Sequence, residues 1–254
     1  SYTAYNVVAI FCCLCLLPLA LSQRVAPKTP KAPRLRPIKA VLLSPAAALG
    51  IVVAGVTGAG FRMVGPLFGI ENAMSQIAIF LAAAILGGVA AQYPVGWIAD
   101  KTDRRHVLLC LSVLAALSCL GIATLIQPGD VGSLYLGAFV FGVTAYPIYS
   151  VSAAYANDLA EPDFVVELNA ALIFLYSIGA IISPAVSAWL IALAGPGAMF
   201  TFMAAVHGTL VVFTIYRMTR RAGTGPRTPY RYLPRTSMLL CRMFTSGNGA
   251  TGKT

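Results

Sequence analysis

Charge is what this sequence has least of. Aspartate and glutamate together number 8, and charged residues of both signs make up 10% of the 254 positions. A soluble domain carries about 25%, so this chain has too few to cover a water-facing surface. Acidic groups are absent from the apolar runs; all 8 lie in loops or at run ends. No glycine-rich phosphate loop and no HExxH helix occur, which excludes an ATP-driven engine and a zinc protease. No carboxylate pair suited to acid–base work is visible, so the chain reads as no enzyme and implies no cofactor. The cysteines Cys12, Cys13, Cys15, Cys110, Cys119 and Cys241 form no pair of CxxC motifs, which argues against a structural zinc site. Five of them lie within apolar runs, where a thiol behaves as a small buried hydrophobe, so a disulfide framework is not expected either.

Apolar residues are what is there. They make up 58% of the chain, and the mean hydropathy is +0.80. Seven runs stand out, at about 2–21, 42–65, 73–95, 106–126, 132–156, 166–193 and 198–216. Each is close to the ~20 residues that cross a bilayer core of roughly 30 Å. They are continuously apolar, whereas barrel strands alternate over about ten residues. The expectation is an all-α membrane protein with seven transmembrane helices. The first run has no basic segment before it and is followed by arginine and proline, not by a small-residue cleavage site. It reads as a span and not as a signal peptide. A sequence whose first residues already lie within a span reads as a fragment.

The net charge of +10 is a topology signal. Basic residues cluster after the first run (Arg24, Lys28, Lys31, Arg34, Arg36, Lys39), after the third (Lys101, Arg104, Arg105) and beyond Arg217. The loops near Glu71, Asp130 and Gly195–Gly197 carry none. Positive loops stay cytoplasmic. The expected arrangement is therefore a multi-pass plasma-membrane protein (a bacterial inner membrane), with this chain's N-terminus outside and its C-terminus in the cytoplasm. Residues 22–41 read as a basic, proline-rich cytoplasmic linker, extended over 26–39. Residues 42–216 read as a six-helix bundle, and 217–254 as a basic, poorly ordered tail. Nucleic acid is not expected as a partner, because the basic residues lack aromatic interleaving except at Tyr230 and Tyr232. The lipid bilayer is. Gly50, Ala54 and Gly58 recur at four-residue spacing, and Gly87–Gly88 follow Ala82–Ala84, as in helices that approach closely in lipid. Pro94, Pro147 and Pro184 are expected bending points.

After the third run comes Gly96-Trp97-Ile98-Ala99-Asp100-Lys101-Thr102-Asp103-Arg104-Arg105. This resembles the loop signature G-x-x-x-D-[RK]-x-G-R-[RK] of the major facilitator superfamily (MFS), with Asp103 in place of the expected glycine. Gly65-Pro66-Leu67-Phe68, Gln92–Gly96, Tyr146-Pro147, Ala154–Asp158, Gly179–Pro184 and Leu233–Ser237 resemble its YcaD-like branch, over roughly residues 2–237. That family has twelve spans in two halves. The resemblance implies that this chain corresponds to the last seven, with the first run as the sixth helix. The N-terminal half is then a missing partner, and spans two and five line the central cavity. It further implies a secondary transporter that moves a small-molecule solute by alternating access. It also implies that Gly96, Asp100, Lys101, Arg104, Arg105 and Asp158 form a cytoplasmic signature whose charges latch one state closed. Solvated loop charges are the plainer reading of the same residues.

Other candidates lie within spans. Arg62 is the basic residue inside the second run; it either snorkels outward or faces an anionic solute. Tyr146 and Ser150 share a face at i, i+4, and Tyr149 and Ser152 lie beside them. With Asn169 and Tyr176 of the sixth run, Arg62, Tyr146 and Ser150 form the candidate substrate path; hydroxyls bonded to neighbouring helices are the alternative. His207 reads as a packed histidine before it reads as a proton relay. A seven-helix receptor shares the topology, although all five lysines lie outside the runs, which excludes a retinal Schiff base. A non-transporting membrane fragment is the remaining alternative.

Overall fold

The computed structural model describes residues 2–21, 35–124 and 130–220. The described residues are helical, with no strand among them. In chain order they form α1 (Tyr2–Leu21), α2 (Pro37–Leu43), α3 (Pro45–Glu71), α4 (Ile77–Lys101), α5 (Arg104–Thr124), α6 (Val131–Ala145), α7 (Pro147–Asp158), a 3-10 turn (Pro162–Phe164), α8 (Val165–Ala194) and α9 (Gly197–Arg220). Six segments are long and apolar enough to cross a membrane: α3, α4, α5, the α6–α7 pair, α8 with its preceding turn, and α9. The first expected span is the exception. α1 is a helix, but its described apolar stretch is Tyr5–Leu17, and each side chain described on it is exposed. Six of the seven expected spans are thus long apolar helices among the described residues.

Proline sets several starts. Pro37, Pro45 and Pro147 open α2, α3 and α7 in the first turn, where the missing N–H is not needed. Pro37 therefore places helix where extended linker was expected. The rest of that linker and the tail beyond Arg220, including Leu233–Ser237, lie outside the described residues. Of the three expected bending points only Pro147 divides a span; Pro94 and Pro184 lie inside α4 and α8. Tyr146 keeps right-handed helical dihedrals, so α7 continues on from α6 instead of turning away. α3 ends in a Schellman turn: Met74 N–H reaches Gly69 O (3.0 Å) and Ala73 N–H reaches Ile70 O (3.0 Å). Ala73 adopts φ 53° there, a left-handed conformation usually left to glycine.

Packing is tightest where small residues meet backbone. A Cβ on Gly142 would strike the Ala84 carbonyl, and one on Gly87 would strike the Phe139 carbonyl, so α4 and α6 touch reciprocally through two glycines. α3 and α8 do the same: Gly55 lies on Tyr176 O and Gly179 on Val52 O. α3 is the most deeply buried of the six crossings. Phe61 on its inner face meets Phe80, Phe141 and Phe200 at 4.9–6.2 Å between ring centres. These rings centre a core drawn mainly from α3, α4, α5, α6 and α9, while a second cluster joins α2, α3, α7 and α8 around Leu168 and Leu172.

Candidate functional site

The signature was expected on a loop, but the structure moves most of it onto helices. α4 persists to Lys101 and α5 starts at Arg104, so the connection is only Thr102-Asp103. Backbone bonding accounts for this. Thr102 N–H closes α4 onto Ile98 O (2.9 Å), and Asp103 accepts Arg105 N–H on its carboxylate (3.0 Å), opening α5. Asp103 therefore acts as a helix cap in place of the signature's glycine. Among the described non-glycine residues only Ala73 has positive φ, so the turn does not require glycine here.

Arg104 joins three helices. Its Nη2 donates to Asp100 Oδ1 at 3.0 Å, across one helical turn of spacing, and its Nε lies 3.2 Å from Asp158 Oδ2 on α7. The Asp158 contact is an ion pair without hydrogen-bond alignment. Arg104 and Asp158 side chains are 13% and 25% exposed, against 67% for Asp100, so α7 supplies the more shielded partner. Lys101 lies over the Trp97 ring (3.8 Å to its centre), and the buried Arg105 lies near the Tyr155 ring (5.6 Å). Gly96 faces open space: an added Cβ would meet nothing within 4 Å. Beside this end, Asn157 and Asn169 exchange amide hydrogen bonds (3.0 and 3.2 Å), tying α7 to α8.

A second constellation is a cavity of about 350 Å³ between α3, the α6–α7 junction and α8. Ala54, Gly58 and Arg62 form one wall, Ala145, Tyr146 and Tyr149 another, Ile173 and Tyr176 the third. Arg62 Nη2 donates to Tyr176 Oη at 2.8 Å, linking residues 114 positions apart. Tyr149 and Tyr176 meet edge to face at 5.6 Å. Gly58 leaves the room for the Arg62–Tyr176 bond, since a Cβ there would come 3.2 Å from Tyr176 Oη. The Tyr146 ring fits under Gly88, and its hydroxyl is buried without a partner.

Of the expected substrate path, Arg62, Tyr146 and Tyr176 meet at this cavity. Ser150 and Asn169 do not line it: Ser150 accepts from Gln92 Nε2 (2.8 Å), and Asn169 is held in the amide clasp. Ser152 is packed beneath Gly50, and His207 is buried against Thr57 (3.2 Å). Ala54, Gly58 and Ile173 were not among the expected contacts, and Tyr149 was expected only beside those contacts. Spacing carried the signal: 54, 58 and 62 repeat at four, 146 and 149 at three, 173 and 176 at three.

The Major Facilitator Superfamily family model matches residues 47–245, most of the chain. The chain belongs to the major facilitator superfamily. This is a superfamily of transporters and not of enzymes, and it makes the chain a multi-pass membrane protein. The uncharacterized MFS-type transporter YcaD of Escherichia coli O17:K52:H18 (strain UMN026) is 28% identical over 183 residues. The protein of that name from Shigella flexneri serotype 5b (strain 8401) is 29% identical over the same length. Each alignment covers 70% of this chain and 44% of the relative, so the MFS chain spans under half the length of the relatives it matches. Among solved structures, the POT family transporter PepTSo superposes with a TM-score of 0.61 at 16% identity, over 74% of this chain and 39% of that one. That likeness is one of fold.

Proposed function

We propose that this chain is the C-terminal part of a twelve-span secondary transporter that moves a small solute by alternating access, together with an N-terminal half. The single observation that carries the reading is Arg104 held by both Asp100 and Asp158. An arginine that ties the α4–α5 connection to the end of α7 closes that end of the bundle, and releasing it frees α7 to move. A contact present in one of two states biases the equilibrium between them. The open cavity at the start of α7 supplies a place for solute, and Pro147 interrupts the span within its wall, between Tyr146 and Tyr149. The basic end is cytoplasmic in this reading, with α9 ending inside, as the distribution of arginine and lysine demands.

The test is flux. The complete gene product is reconstituted in liposomes and offered a panel of labelled solutes, wild type beside Arg104→Gln. Counterflow of at least one solute, at a rate changed by about tenfold in the variant, supports the reading; each tenfold corresponds to about 1.4 kcal/mol. Flux identical in the variant removes the latch. No flux for any solute leaves a non-transporting membrane protein. For topology, a green fluorescent protein fused after Thr254 fluoresces in cells if the C-terminus is cytoplasmic.

A further inference from the structure

The cavity beside Arg62 has a marked imbalance of donors. Arg62 pairs with no carboxylate among the described residues, and its one side-chain partner there is the neutral Tyr176 hydroxyl. A guanidinium offers several N–H groups and accepts nothing. Tyr176 already accepts from Arg62, which leaves its own O–H free to donate. Tyr146 adds a hydroxyl that is buried and unpartnered. Arg62 lies nine residues before Glu71 on α3, about 13 Å from that helix end. An unpaired charge at such depth is costly and calls for a counter-charge. The rest of the wall is apolar: Ala54, Ala145 and Ile173.

We propose that this cavity binds a monocarboxylate with a compact apolar body, its acid group on Arg62, Tyr146 and Tyr176 and its body against Tyr149 and Ile173. The carboxylate accepts only, which matches a wall of donors, and it presents two oxygens to the planar guanidinium. One cation in an apolar wall matches one negative charge, and a phosphate dianion asks for more. The volume is near the lower end of the ~300–1,000 Å³ typical of ligand sites, which suits a single-ring acid. The perpendicular Tyr149–Tyr176 pair offers ring edges and faces for such a body. The inference deepens the transport reading of the same site and rests on it for the ligand being cargo.

Labelled benzoate is equilibrated with the complete gene product in lipid nanodiscs and with empty nanodiscs. The expected result is benzoate retained by the chain, displaced by cyclohexanecarboxylate, and not displaced by benzamide or benzylammonium. Arg62→Gln weakens binding about 10- to 100-fold, the scale of a lost charge-assisted hydrogen bond. Tyr146→Phe, which removes only a hydroxyl, weakens it severalfold, and Arg62→Lys restores part of the affinity. Gel filtration and helical circular dichroism establish that each variant is folded. A carboxylate also arrives as a membrane fatty acid, so laurate is tested in parallel. The proposal is overturned by absent benzoate binding, by equal displacement with benzamide, by unchanged affinity in Arg62→Gln, or by laurate binding without benzoate. Flux of an uncharged solute without benzoate binding refutes this inference alone. Benzoate binding without flux refutes the transport reading alone.

Discussion

If Arg104 is a tie between helices, its coupling to Asp158 should exceed its coupling to Asp100. The structure allows both to be sized. Asp100 is two-thirds exposed and lies four residues before Arg104, on α4 across the two-residue connection. Such pairs contribute about 0.3–0.5 kcal/mol, and solvent screening keeps them there. Asp158 and Arg104 are both mostly shielded at 3.2 Å. Charge-assisted hydrogen bonds reach about 1.5–3 kcal/mol, but this contact is not well aligned, so about 1 kcal/mol is expected. The assay is a pair of double-mutant cycles, Arg104→Gln with Asp158→Asn and with Asp100→Asn, read by reversible unfolding in mixed micelles. Raising ionic strength from ~0.15 to ~1 M shortens the screening length from ~8 to ~3 Å. The Asp100 coupling should then disappear while most of the Asp158 coupling remains. An Asp158 coupling below about 0.3 kcal/mol, or an equal loss of both in salt, would refute the reasoning and leave solvated end charges.

Three further outcomes follow from the packing. Ala73→Gly should stabilise the protein by about 1 kcal/mol, because Ala73 carries the left-handed cost that glycine avoids; a lower unfolding midpoint in denaturant would contradict it. Gly142→Leu should cost about 3 kcal/mol or more, since a Cβ already meets the Ala84 carbonyl and backbone cannot yield; recovery of normal yields of monodisperse protein would show that α4 and α6 are not in close contact. Thr57→Val should cost about 1–3 kcal/mol by leaving buried His207 with no partner on either ring nitrogen, because Nδ1 has none and Nε2 meets only Thr57. Adding His207→Leu should recover most of that loss, and a thermal-unfolding series of the three variants tests both steps.

Much of the architecture was legible in one dimension. Apolar runs about as long as a bilayer is thick locate the helices, and a ten-residue signature points to the superfamily. The runs locate helix ends less well: backbone bonding carries α4 six residues past the expected end at 95, to Lys101, and places Asp100 on a helix. α1 is a helix over the whole of the first run, 2–21, and its described side chains are exposed. Hydropathy counts residues and is blind to partners.

The cavity needed the third dimension. Arg62, Tyr146 and Tyr176 were each visible as polar residues in apolar runs, but so were Ser150 and Asn169, which the fold spends on bonds to Gln92 and Asn157. Which of them face a common space depends on the rotation of each helix about its axis, and rotation is set by contacts between residues far apart in sequence. Gly50, Ala54 and Gly58 show this most clearly. They form one stripe in the sequence, but Gly50 packs on Ser152 while Ala54 and Gly58 open onto the cavity. Spans, charge asymmetry and the signature belong to the local sequence because bilayer thickness and backbone bonding act over neighbouring residues. The Arg104 tie to α7 and the Arg62 cavity belong to the packed bundle, because they exist only once the close glycine contacts set how the helices cross.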